Sequence, residues 1–155
     1  MALITGTDFI AVPTEDIDAS VDFYENTLGL ERSKQWGKMP AHEFETGNLT
    51  IAVMQTDAFG IEFKPHCLPI ELHVEDFEAA KAELESRGVE FRGDTLDSGV
   101  CNQAFFLDPA GNALAIHHRY APPAGELRRI EVFLRRGSAS PGRSVGGNVP
   151  RYFGA

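Results

Sequence analysis

The chain is poor in cysteine. Its 155 residues include only Cys67 and Cys101, which make neither a CxxC pair nor a disulfide framework, so a reducing, cytoplasmic setting is the expectation. Long apolar runs are also missing. No stretch approaches the ~18 residues of a membrane span, and the first residues lack a basic-then-apolar leader, so no membrane span is expected. Positive charge is scarce: 14 Lys and Arg against 23 Asp and Glu give a net charge of −9, which argues against nucleic acid because phosphate binding needs a basic surface. There is no phosphate-cradling glycine loop and no GxSxG elbow. What remains is ordinary globular material, 43% hydrophobic and 24% charged, which excludes fibrous and wholly disordered classes. The length suits one domain, or two very small halves sharing a core.

The charge is unevenly spread. Residues 126–155 carry six arginines and two glutamates, a net +4, which leaves −13 on residues 1–125. The segment Ala121-Pro122-Pro123-Ala124-Gly125 lies at the junction and reads as a linker. Residues 1–120 are therefore the expected domain, with a Pro/Gly linker and basic tail over 121–155. Within the tail, Leu127, Ile130, Phe133 and Leu134 have helical spacing. One short amphipathic helix is expected there, before a Gly/Ser/Pro-rich end.

An internal repeat organises the acidic part. Glu15-Asp16-Ile17-Asp18-Ala19-Ser20 returns sixty residues later as Glu75-Asp76-Phe77-Glu78-Ala79-Ala80. Asp16 and Asp76 suit N-caps, and the acidic first turns suit the helix dipole. Gly29 and Gly88 fall where each helix should stop. A short β-like run precedes each helix (9–13 and 70–74), and about three follow it: 32–36, 42–45 and 49–54, then 89–91, 101–107 and 113–118. Gly47-Asn48 and Gly111-Asn112 give matching turn signals before the last strand of each half. The expected architecture is α+β, with βαβββ modules over about 7–56 and 68–120 paired into a curved mixed sheet around a cleft. Each module leaves one sheet face uncovered, so the modules must pair within a chain or across a dimer.

Alternation sorts the two sheet faces. Ile10, Val12, Ile51, Val53, Ile70, Leu72, Val74, Leu114 and Ile116 share one apolar parity that should lie under the helices. The other parity carries Phe9, Ala11, Thr50, Ala52, Met54, Glu71, His73, Ala113, Ala115 and His117. Small, aromatic and ionisable residues mixed on one face line a cavity better than they fill a core.

The helix segment Asp18-Ala19-Ser20-Val21-Asp22-Phe23-Tyr24, the following Leu28-Gly29-Leu30 and the turn Phe106-Leu107-Asp108-Pro109-Ala110-Gly111-Asn112 resemble those of the vicinal oxygen chelate superfamily: glyoxalases, bleomycin-resistance proteins and extradiol dioxygenases. The resemblance spans about residues 7–120 and implies the paired-module fold, often as a homodimer. It also implies a divalent metal held by four His or Glu side chains, one each from the first and last strands of both modules, that polarises vicinal substrate oxygens. In this chain those positions are Phe9, Ala52, Pro69 and Ala115. None of the four side chains can bind a metal. The metal chemistry is therefore not carried over, and no cofactor is expected.

Three functional readings follow. The first is a metal-independent, small-molecule-binding homodimer, with Glu71, His73 and His117 orienting the ligand and Phe9, Trp36 and Phe44 as aromatic contacts. In the bleomycin-resistance branch, aromatics and acidic groups receive flat cationic drugs, and the resemblance offers Trp36 and Phe44 for that role. The second is a lyase, isomerase or dioxygenase using either Glu71 and His73 as an acid–base pair or a displaced metal on Glu71, His73 and His117, with His42 approaching from a neighbouring strand. The third is a non-enzymatic interaction module with the basic tail as docking element. His118 has the opposite parity and is read as structural or exposed. A nucleophile formed by His66 and Cys67 lacks a third, orienting group.

Overall fold

The computed structural model describes residues 2–122. The linker beyond Pro122, the amphipathic helix of the tail and its Gly/Ser/Pro-rich end lie outside the described residues.

The repeat forms two βαβββ modules. The first consists of β1 (Phe9–Thr14), α1 (Ile17–Asp22), β2 (Glu31–Gln35), β3 (Ala41–Glu45) and β4 (Thr50–Gln55); the second of β5 (Ile70–His73), α2 (Phe77–Ser86), β6 (Arg92–Asp97), β7 (Cys101–Leu107) and β8 (Ala113–Arg119). Each makes a four-stranded mixed sheet, in the orders β1-β4-β3-β2 and β5-β8-β7-β6. The first strand of each module runs parallel to the last, and the remaining pairs are antiparallel. Both helices start as the repeat implies. Asp16 accepts from the Ala19 amide and Asp76 from the Ala79 amide, each at 3.0 Å, satisfying donors that a bare helix end would leave unpaired.

After α1 the backbone widens into a π-helical turn, Phe23–Thr27, closed by Leu28 N–H donating to the Phe23 carbonyl at 2.9 Å. Tyr24 is fully buried and Phe23 half-buried. Gly29 then takes φ +72°, the left-handed stop expected of it.

The strand expected over 89–91 forms later, at Arg92–Asp97. Val89 and Phe91 instead pack on the core, whereas all six β6 residues are exposed. The apolar signal thus marked an anchor, and the ladder belongs to a polar edge strand whose register slips between Arg92 and Leu96. β2 is likewise wholly exposed and irregular. Polar, uneven edge strands resist pairing with other chains.

The parity assignment holds. Ile10 pairs with Ile51, Val12 with Val53, Ile70 with Leu114 and Leu72 with Ile116. The helix-side faces of both sheets contribute to one cluster, with Val12, Tyr24, Phe44, Ile51 and Val53 from the first module and Phe77, Leu84, Phe106, Leu114 and Ile116 from the second. Burying each large side chain contributes roughly 1.5–3 kcal/mol. The modules therefore sit back to back on this shared core, and their opposite faces point outward. Among the described residues no ladder joins the two sheets.

A buried polar pin crosses between the modules. Tyr24 Oη donates to Asp108 Oδ2 at 3.0 Å. Asn112 Nδ2 donates to the same oxygen at 2.7 Å and to the Pro13 carbonyl at 2.8 Å. The amides of Ala110 and Asn112 donate to Asp108 Oδ1, and the His66 amide donates to Asn112 Oδ1 at 2.9 Å. Burial, then the charge and hydrogen bond of Asp108, push the Tyr24 hydroxyl well above its usual range, so it stays a donor.

Candidate functional site

The outward face of the first module is built on small residues. Ala11 lies beside Ala52 and Ala52 beside Glu43, across β1, β4 and β3. Phe9 and Thr50 form the next row toward one end, and Pro13, Met54 and Ala41 the row toward the other. Trp36, just past β2, is aligned by its amide donating to the Ala41 carbonyl at 3.0 Å. Its indole meets Phe9 edge to face at 5.6 Å and Phe59 edge to face at 6.4 Å. The indole N–H donates to Glu43 Oε1 at 2.5 Å, which fixes the ring and sets a carboxylate beside it. Glu45 accepts from Ser33 at 2.6 Å and from Thr50 at 3.0 Å. The product is an aromatic step flanked by two carboxylates. Such a surface suits a flat or cationic group through ring quadrupoles and charge.

The outward face of the second module has a different character. His73, His117 and Gln103 form one row across β5, β8 and β7, and Glu71, Ala115 and Phe105 form the next. Glu71 is an exposed residue, yet partial desolvation of its carboxyl raises it above its ordinary value, against the opposing pull of His117 and the Gln103 amide. His73 is exposed, with Nε2 3.3 Å from Glu75 Oε1 and its ring stacked 6.5 Å from His118. Among the described residues no three His, Cys, Asp or Glu side chains gather closely enough to hold a metal. Glu71, His73 and His117 thus share a face but are not a ligand set.

The six sequence candidates separate into three places. Phe9 and Trp36 meet on the first outward face. Glu71, His73 and His117 occupy the second. Phe44 is in neither: it is fully buried on the helix side, 5.5 Å from the Tyr24 ring, because its pairing with Ile51 gives it core parity. His42, paired with Val53, is also on the helix side and not near the ligand face. There its Nδ1 is buried without a partner. Burial and Arg32 lower its proton affinity, against Asp18 and Glu25. His118 Nδ1 lies 3.0 Å from the Val74 carbonyl, in keeping with a structural role.

Two residues of the first face escaped sequence reasoning. Glu43 was legible by alternation, since it adjoins Phe44 with opposite parity. Phe59 was not, because it comes from a single 3-10 turn, Thr56–Phe59, with no period to read.

Two hollows adjoin these faces. A groove of about 480 Å³ lies between β1 and β5, with Ile10, Leu28 and Leu30 on one side and Ile70, Leu72 and Leu84 on the other, and Glu71 and His73 also line it. An open hollow of about 300 Å³ is bordered by β1, β4, the 3-10 turn and the segment 61–66.

Comparison with known proteins agrees with the geometry. The family model described as "Glyoxalase/Bleomycin resistance protein/Dioxygenase superfamily" matches residues 6–116. No curated protein matches the sequence. Among solved structures, a member of that superfamily from Sphaerobacter thermophilus is 23% identical with a TM-score of 0.66, covering 75% of this chain and 98% of its own. TnmS3, an antibiotic-binding protein from Streptomyces, is 23% identical with a TM-score of 0.64, covering 77% and 99%. Lactoylglutathione lyase from Agrobacterium tumefaciens is 15% identical with a TM-score of 0.64, covering 74% and 93%. At these identities the likeness is one of fold.

Proposed function

This chain belongs to the glyoxalase/bleomycin resistance protein/dioxygenase superfamily, and from that premise we propose that it binds a small molecule on the outward face of its first module without a metal ion. One observation carries the reading: the aromatic step Phe9–Trp36–Phe59 with Glu43 fixed beside the indole. Phe9, Ala52, Pro69 and Ala115 occupy the superfamily's metal positions, and their side chains offer no ligand atoms. The face favours a flat cation, held by ring stacking and by carboxylate charge. That one neighbour in fold, TnmS3, is an antibiotic-binding protein is in keeping with this use of the fold.

A single outward face covers only one side of a ligand. The outer edges of β1 and β5 also carry backbone groups with no ladder partner among the described residues. A homodimer would pair such edges and supply the second wall, so the binding form is proposed to be dimeric. No helix among the described residues is long and apolar enough to cross a membrane. Both cysteines are free, which suits the cytoplasmic location proposed.

The test uses the chain's single tryptophan. Flat aromatic cations should perturb Trp36 emission saturably, and sedimentation should give a dimer at the same concentrations. No saturable response by fluorescence or calorimetry overturns the binding reading. About one metal per purified chain in elemental analysis overturns its metal independence.

Glu71 supports a second reading. A carboxyl with raised proton affinity beside His117 is the kind of pair that moves a proton, provided one substrate atom comes within about 3 Å of both. Turnover of a bound compound that is lost in Glu71→Gln while binding persists would establish it.

A further inference from the structure

The open 300 Å³ hollow beside residues 61–66 adjoins the aromatic step, because Phe59 contributes to both. Its apolar walls are Ala11, Val12, Pro13, Met54, Phe59 and Ile61, and Thr56, Glu62, Lys64 and His66 complete the lining. The bordering segment is held at both ends. Gly60 turns it in the left-handed region (φ +68°), and Ile61 N–H donates to the Thr56 carbonyl at 3.0 Å. At the far end the His66 amide donates to Asn112, and its carbonyl accepts from Ala113 N–H at 2.8 Å. The hollow is thus preformed between anchored elements, which lowers the ordering cost of filling it. Ile61 stands 56% exposed at its wall. The charged rim residues cancel, with Lys64 Nζ 3.0 Å from Glu62 Oε2. At the other end of the aromatic step Glu43 faces Lys34 across the β2–β3 ladder, with no salt bridge between them among the described residues. Among the described residues, Glu43 Oε2 accepts no hydrogen bond, while Oε1 takes the indole.

We propose that this cavity is an apolar subsite, and that the protein's ligand is an amphiphilic cation whose alkyl or aryl end fills it while the cationic end rests against Trp36 and Glu43. The assignment rests on the reading of the first outward face as the binding surface, and adds the shape and polarity of the ligand. Charge and apolar volume are separated along one surface, and a molecule matching both has the same separation. The cavity volume limits the apolar end to about the size of one or two rings or a short chain.

The experiment titrates the full chain with tetramethylammonium and then with butyl-, hexyl- and octyltrimethylammonium, following Trp36 emission with calorimetry in parallel. Affinity should rise about fourfold per methylene, as expected for CH₂ groups leaving water, until the cavity is full. Ile61→Asp, at an exposed position where folding is not at stake, should flatten that rise. Glu43→Gln should weaken every member of the series by a similar factor. Binding of tetramethylammonium with no gain along the series overturns the subsite and leaves the surface reading intact. Failure of every ammonium ion to bind overturns the surface reading as well. If octanol binds as tightly as octyltrimethylammonium, the cavity is apolar but the assignment of a cationic ligand is wrong.

Discussion

The two modules share a scaffold but have different outward faces. In both, a first strand pairs in parallel with a last strand, and a buried alanine (Ala52 or Ala115) occupies the middle of the outward face. Over Ala52 the first module places Trp36, Phe9 and Phe59 with Glu43. Around Ala115 the second places Glu71, His73, His117, Gln103 and Phe105. The helix sides are apolar in both, since both fill one core. The lesson is that packing constrains one parity of each strand and leaves the other free to specialise. One face became an aromatic and acidic platform, the other an imidazole and carboxyl surface.

The largest effect should come from breaking what the modules share. Asp108→Ala leaves the buried Tyr24 hydroxyl without its acceptor and the Asn112 side-chain amide with only the Pro13 carbonyl, and should cost about 3–5 kcal/mol in chemical denaturation. A loss below about 1 kcal/mol would mean the pin does not hold the modules together. Phe44→Ala should cost about 3–5 kcal/mol as a core cavity, whereas Phe9→Ala, at a face residue 43% exposed, should scarcely alter stability. Comparable losses would refute the division into faces.

Smaller effects should separate the two faces by ligand. Trp36→Ala and Glu43→Gln should each weaken cation binding by roughly tenfold, in keeping with about 1–2 kcal/mol for a cation–π or charge contact. His117→Ala should leave that affinity unchanged if the faces act independently. Loss of affinity in all three would mean that faces from two subunits line one site. This outcome sharpens the comparison into a composite cavity.

The smallest effects are in pH dependence. The proton affinity of His42 is lowered in the fold, so the unfolded chain binds more protons near the ordinary histidine value. The stability associated with neutral His42 is present above about pH 6.5 and is lost as pH falls through the folded value. The melting temperature should therefore fall on acidification, and His42→Gln should lessen the fall. Solvent screening keeps the effect below ~1 kcal/mol. Glu71 is opposite in sign: its raised value favours the protonated form in the fold, so its contribution is lost as pH rises through that value. Relative to wild type, Glu71→Gln should gain slightly in thermal melts at neutral pH. An unchanged pH profile in either variant would contradict the direction assigned to that group.

Much of this fold was legible before the structure. Paired Glu-Asp helix starts, Gly-Asn turns and strict alternation in β1, β4, β5 and β8 are local signals, and each reflects a local cause: capping, turn geometry or the pleat. β6 was misplaced because its ladder is polar, while the apolar Val89 and Phe91 beside it serve packing. Phe44 was assigned to the ligand side because aromatic character does not reveal parity at an uncertain strand end. Phe59 had no periodic signal at all.

The amino-acid order by itself determined the repeat, the strand and helix types, the two parities and the lack of ligating side chains at the superfamily's metal positions. These depend on backbone geometry and side-chain chemistry within a few residues. Only the tertiary structure decided that the modules meet through their helix sides, with Tyr24, Asp108 and Asn112 joining them. It therefore also decided that the candidates form two surfaces. Either pairing of modules would bury the same apolar parity. The choice between them is made by contacts up to 99 residues apart in sequence, as between Asn112 and Pro13, and no local pattern encodes such a contact.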